Sequence, residues 1–265
     1  MASTHPFHDK VIAVTGSSRG TGLALARYLL VRGARVSMCA TSAENLASAL
    51  AGIERDFPEF KDHAMTTVCD IREPDQISAW IGKTVEKWGP LDGCANVAAK
   101  EQRSIYPITD LDMNYFNELL AVNVTGTFNC LKEELKNVKD GGSIVNVGSI
   151  TSNYASAGVA GYVACKHALV GLTKVAAFEA ASRKIRVNAL CPGCIDTEMM
   201  EKPFDSPAGQ FYLTKDNIPT LLQGRLAEPS EIAASIAFLL GDESRYITKA
   251  VWYHDGGWLE GSYSK

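Results

Sequence analysis

The feature that most constrains this chain is a repeated alternation of short β-branched runs with longer segments of helical periodicity. "KVIAVTG" reads as a strand, and "GLALARYLLVRG" after it spaces apolar residues at helical intervals and stops at Gly33. "ARVSMCA" and "SAENLASALAGIERD" repeat the pair, with Ser42 in an N-cap position. The pattern recurs as "MTTVCD" before "EPDQISAWIGKTVEKWG" and as "LDGCANVA" before a helical stretch through "YFNELLAVNVTGTFNCLKEEL". "GSIVNVGS" then precedes "YVACKHALVGLTKVAAFEAA", and "KIRVNALCPG" and "AVWYHDGG" supply two further strands. Such repeats predict an α/β, doubly wound fold: a parallel sheet of about seven strands with helices on both faces. No linker or low-complexity segment divides residues 1–265, so a single domain is expected, with one irregular insertion over about 198–222.

Composition excludes several classes of function. Of 265 residues 46% are apolar and 21% charged, the net charge is −4, and no long run carries one sign, so neither nucleic acid nor an anionic membrane is an expected partner. The start "MASTHPFHDK" lacks the basic and apolar segments of a secretory signal, and no apolar run reaches spanning length. The expected compartment is cytoplasmic. Seven cysteines are scattered along the chain, and "CPGC" has no second pair or histidine pair to complete a zinc site. No metal is expected.

The first strand runs into "TGSSRGTG", which places Gly16, Gly20 and Gly22 between a strand and a helix. Glycines there let backbone approach a pyrophosphate, and the helix N-terminus supplies N–H donors. Ser18, Arg19 and Thr21 share this loop. An acid at the end of the second strand would select NAD(H), but Ala40, Thr41 and Ser42 stand there. With Arg19 nearby, the pattern favours NADP(H) over NAD(H), unless Arg19 is an ordinary surface arginine.

With these residues in hand, the chain resembles the short-chain dehydrogenase/reductase family, whose fold is Rossmann-like, over nearly its whole length. "TGSSRGTG" matches T-G-x-x-x-G-x-G, and "ATS" after the second strand is similar to NADPH-using 3-oxoacyl-thioester reductases. Asp70 and Ile71 fall where the family contacts adenine, and Asn96 and Ala98 lie in a segment similar to N-N-A-G. Asn123, Ser149, Tyr162 and Lys166 match the family's catalytic set, with Ser149 thirteen residues before Tyr162. "RVNALCPGCIDT" implies that Pro192, Gly193, Ile195 and Thr197 border the nicotinamide. Five positions depart from the pattern: Thr21, Val97, Ala99, Gly148 and Lys249.

Tyr162 and Lys166 lie four residues apart, on one face of a helix. The resemblance implies a ketone–alcohol oxidoreductase in which Tyr162 exchanges the proton and the Lys166 ammonium lowers its pKa. Ser149 would hold the carbonyl oxygen, Asn123 would position a water, and Lys166 would also meet the nicotinamide ribose. Cys165 is expected to pack in the helix and His167 to face the surface or an interface. Tyr154 is expected to line the substrate pocket. In the 198–222 insertion, Met199, Phe204 and Phe211 either form an apolar lid over a hydrophobic polyketide, terpenoid or steroid-like substrate or simply pack the loop. The family commonly assembles as homotetramers or homodimers. The alternatives are a relative repurposed for isomerisation or cyclisation, or a non-catalytic nucleotide-binding protein.

Overall fold

A computed structural model describes residues 6–198, 220–222 and 224–259. Seven strands form one all-parallel sheet: β1 (Val11–Thr15), β2 (Arg35–Ala40), β3 (Ala64–Val68), β4 (Leu91–Asn96), β5 (Val138–Val147), β6 (Arg186–Pro192) and β7 (Val251–His254). Their order is β3-β2-β1-β4-β5-β6-β7, and registers such as Ile12↔Val36 and Ile12↔Gly93 place β1 at the centre of the reversal. Consecutive strands leave β1 in opposite directions. This opens a crevice beyond the carboxyl ends of β1 and β4, where such sheets bind ligands.

Side-chain alternation along β1 divides the core. Ile12 and Val14 point to one face, packed with α1 (Gly20–Leu30), α2 (Ala43–Asp56) and α7 (Pro229–Leu240). Val11 and Ala13 point to the other, packed with α3 (Pro74–Trp88), α5 (Thr127–Asn137) and α6 (Ala160–Glu179). Among the described residues no helix is long and apolar enough to cross a membrane.

The helical stretch after β4 is less regular than its periodicity predicts. It begins as α4 (Met113–Leu120), passes through one π-helical turn at Ala121–Gly126, and only then continues as α5. The turn holds Asn123, and such bulges are common at functional sites. Gly126 lies here against Ile71, where a Cβ would come within 2.7 Å of its side chain.

Arg186, which opens β6, caps α7 from outside by donating to the carbonyls of Leu239 at 2.7 Å and Gly241 at 3.0 Å. Lys249, where the family pattern has glycine, adopts that residue's left-handed conformation at φ +61°, and its ammonium lies over the Phe178 ring. The turn is therefore kept despite the substitution.

One buried carboxyl sits inside the fold. Asn96 Nδ2 donates to Glu134 Oε2 and to Asn146 Oδ1, both at 2.9 Å, and Asn146 donates on to Thr173. Burial pushes Glu134 up to about 7, against the opposing hydrogen bond from Asn96. The folded chain therefore holds a proton there that the unfolded chain releases near pH 4.5, and stability falls as pH rises from about 4.5 through 7. Chemical denaturation at pH 5 and pH 8 should show wild type losing about 2–3 kcal/mol more than Glu134→Gln across that interval. Parallel losses would contradict the assignment.

Candidate active site

The crevice begins with a turn that only glycine permits. Gly16 has φ +65°, and a Cβ on it would lie 2.7 Å from the Ala98 Cα. A Cβ on Gly22 would come within 2.3 Å of the Gly16 carbonyl oxygen. Thr15 Oγ1 accepts from the amides of Val97 (3.0 Å) and Ala98 (3.1 Å), tying the loop after β4 to this turn. Arg19, at the N-cap of α1, is extended, and its side chain does not cap the helix. The helix N-terminus thus faces the cleft with its donors available to an anion. These residues fit a dinucleotide pyrophosphate, because the backbone is close-packed where a phosphate must approach it.

At the far end of the cleft, Ser149 follows β5 in an extended conformation and accepts at Oγ from the Thr151 amide, 3.2 Å away. Tyr162, in the first turn of α6, lines the same end of the cleft. One turn later the Lys166 Nζ donates to the Val147 carbonyl at 2.9 Å. Lys166 is only 2% exposed, and burial pushes its pKa down to about 8. The ammonium lies 5.5 Å from the Tyr162 ring centroid.

These positions correct one expectation. Tyr162 is raised above the ordinary tyrosine range, first by burial and then by the charge of Glu101, with the nearby Ser149 hydroxyl opposing them. Lys166 does not outweigh these effects here: the amine is turned to the Val147 carbonyl, and burial disfavours its own charge.

Between the two ends runs a cleft of about 540 Å³, within the ordinary range for ligand pockets. Residues 16–259 match a family model described as "Enoyl-(Acyl carrier protein) reductase". The "Short-chain dehydrogenase/reductase aba4" of Botryotinia fuckeliana is 41% identical, covering 97% of this chain and 99% of that protein. The chain belongs to the short-chain dehydrogenase/reductase family. It is an oxidoreductase acting on the CH–OH/C=O pair with a nicotinamide cofactor. Levodione reductase of Leifsonia aquatica is 33% identical over 96% of both proteins. A solved levodione reductase structure superposes with a TM-score of 0.86 at 32% identity, covering 95% of this chain and 98% of that one. A blue fluorescent protein from a metagenomic library, solved with NADPH, gives 0.84 at 28% identity, covering 96% and 99%.

In this short-chain dehydrogenase/reductase, Gly16, Ser18, Arg19, Gly20, Thr21 and Gly22 line the cleft, as do Thr41, Asp70 and Ile71 at the ends of β2 and β3. Ala98, Pro192, Gly193, Ile195 and Thr197 border its middle, and Tyr154 stands with Ser149 and Tyr162 at the reacting end. Asp70 is clamped by Arg72, whose guanidinium holds the carboxyl below its usual range.

Three expected residues do not line the cleft. Ser42 instead accepts from the Asn45 amide to cap α2. Asn96 points into the core toward Glu134. Asn123 is 1% exposed and binds the Lys100 backbone through both amide atoms, at 3.1 and 2.8 Å. Met199, Phe204 and Phe211 lie outside the described residues.

Gly148 is explained by space, since a Cβ there would meet Cys191 Sγ at 2.6 Å. Cys165 is fully buried, whereas His167 is exposed and bonds only back to Val163 within the helix.

Sequence reasoning missed Gln102. Its Oε1 accepts from the Tyr162 amide at 3.0 Å, and its Nε2 donates to Ser104 and Gly158. It thereby caps α6 from a distant loop, a role no local spacing announces.

Gly22→Ala should abolish the thermal stabilisation expected from a nicotinamide dinucleotide and lower the melting temperature by several degrees, because the loop must open to admit the methyl group. A variant that melts and binds like wild type would contradict the close packing.

Proposed function

We propose that this protein is an NADP(H)-dependent carbonyl reductase, working also as a secondary-alcohol dehydrogenase in reverse, on a hydrophobic small molecule. The observation that carries the reading is that Ser149, Tyr162 and Lys166 line the same cleft as the glycine cradle. The bound nicotinamide would supply or accept the hydride. Ser149 would donate to the substrate carbonyl oxygen and support the charge that develops there. Tyr162, kept protonated by burial, is the group able to deliver a proton to that oxygen. Lys166 would anchor the nicotinamide ribose and carry the positive charge that eases proton loss from Tyr162. Asn123 would act through the loop at Lys100 that it holds, one wall of the catalytic end.

The preference for NADP(H) rests on charge. No carboxylate ends β2, Thr41 offers a hydroxyl, and Arg19 stands at the rim, 3.4 Å from Glu198, its guanidinium half exposed. A 2′-phosphate would outcompete that exposed, screened pair for the guanidinium. The metagenomic neighbour solved with NADPH supports the same reading.

Residues 1–265 would then act as one cofactor-binding and catalytic unit. Phe128 on α5 and Val175 and Phe178 on α6 are all more than half exposed. They support a homodimer or homotetramer built through these helices, which sedimentation equilibrium would read as a multiple of 28.6 kDa.

The reading is tested by following NADPH and NADH oxidation against a ketone panel. Tyr162→Phe should lose on the order of 10²–10⁴ in kcat and keep its NADPH affinity. Arg19→Ala should weaken NADPH binding roughly 10-fold or more and leave NADH unchanged. Unaltered turnover by Tyr162→Phe would sink the proton-transfer role, and tighter binding of NADH than NADPH in wild type would sink the cofactor assignment.

A further inference from the structure

Glu101 is a carboxylate in a place that penalises one. It lies on the loop between β4 and α4, in the cleft wall with Ser149, Tyr154 and Tyr162, and its side chain is only 17% exposed. Arg103 Nη2 approaches Oε2 to 2.8 Å, yet that buried oxygen receives no hydrogen bond. Thr151 Oγ1, two residues beyond Ser149, is also buried without a hydrogen-bond partner and also lines the cleft. The other unpartnered buried side-chain atoms among the described residues, on His63, Asn96 and Glu134, lie outside it.

A largely buried carboxyl with one oxygen that receives no hydrogen bond costs stability even beside its ion-pair partner. This one also acts against the reaction, because its charge makes Tyr162 harder to ionise. An apolar side chain at 101 would remove both penalties at the loss of one partly exposed ion pair, which points to a ligand as the carboxyl's further use.

The loop around it is fixed in advance. Gln102 ties it to α6, and Tyr115 Oη accepts from the Arg103 amide at 2.7 Å. Glu101 is thus held in place beside the reacting groups before any ligand arrives.

We propose that Glu101 is a second polar anchor in the cleft, accepting a hydrogen bond from a substrate hydroxyl remote from the reacting carbon, so that the substrate pair is a hydroxyketone and its diol. This rests on the oxidoreductase reading above. A hydroxyl suits the site because it can donate to the carboxyl and also accept from a hydroxyl such as that of Thr151. A second carbonyl could not donate to the ionised carboxyl, and an anionic substituent would be repelled by it. Burial raises the Glu101 carboxyl to about 7, which favours a neutral partner over an ammonium.

The test measures kcat and KM with NADPH for cyclohexanone and for its 2-, 3- and 4-hydroxy derivatives. Wild type should prefer at least one hydroxyketone to cyclohexanone by 10-fold or more in kcat/KM. Glu101→Leu should bring that ratio to within about two-fold of unity while still reducing cyclohexanone. Glu101→Gln, which keeps an acceptor oxygen, should retain most of the preference. Binding without turnover is read by the thermal shift produced by cyclohexane-1,2-, -1,3- and -1,4-diol against cyclohexanol, and Glu101→Leu should erase the excess shift of the preferred diol.

Ketone turnover with no hydroxyl preference, or with a preference that survives in Glu101→Leu, overturns the anchor and leaves the oxidoreductase reading standing. Equal losses on cyclohexanone and its hydroxy derivatives would mark Glu101 as merely structural and overturn it as well. A Glu101-dependent diol shift without turnover of any ketone would support the anchor and overturn the oxidoreductase reading.

Discussion

The hydrogen bond from the Lys166 ammonium to the Val147 carbonyl organises the catalytic half of this molecule. It pins one turn of α6 to the last residue of β5. Tyr162 stands one turn before the lysine on that helix, and Ser149 two residues beyond that strand, so one contact fixes the separation of both groups. The contact is made at a cost: moving the pKa from 10.5 to about 8 corresponds to about 3 kcal/mol at pH below 8. Because burial lowers the folded-state value, that penalty is present at neutral pH and fades as pH rises from about 8 to 10.5. A fold that carries such a penalty beside a half-buried tyrosine has placed a positive charge where a reaction needs one, at the expense of stability.

The cofactor end depends on backbone rather than charge. Gly16 turns through a left-handed conformation, Gly22 packs against its carbonyl, and Thr15 holds the loop after β4 onto both. The reversal of strand order at β1 and β4 brings this cradle to the same edge of the sheet as Ser149, at the end of β5. Hydride and proton chemistry can therefore share one cleft because a parallel sheet delivers all its carboxyl ends to one side.

The parts of the fold that follow from period and punctuation were legible in the sequence. The alternating strands and helices, the glycine turn and the i, i+4 pair of Tyr162 and Lys166 all have local signatures. What was not legible depends on where a side chain turns in three dimensions. Asn96 sits in a cofactor-like segment but faces Glu134 in the core, and Ser42 spends its hydroxyl on the α2 cap. The π-helical turn at Asn123 has no sequence period to reveal it, and Gln102 acts across sixty residues on the Tyr162 amide. The direction of the Tyr162 shift failed for a related reason: spacing put a lysine nearby, but burial and Glu101 decide the sign.

The geometry of the catalytic end depends on the state of the buried lysine. The most direct measurement is a pH titration of lysine side chains labelled with ¹³C at Cε, followed by NMR and compared with Lys166→Arg. One lysine should titrate near 8, with its signal missing from the variant. If every lysine titrates in the ordinary range near 10.5, Lys166 is solvated, and the arrangement of Ser149, Tyr162 and Lys166 described above is wrong.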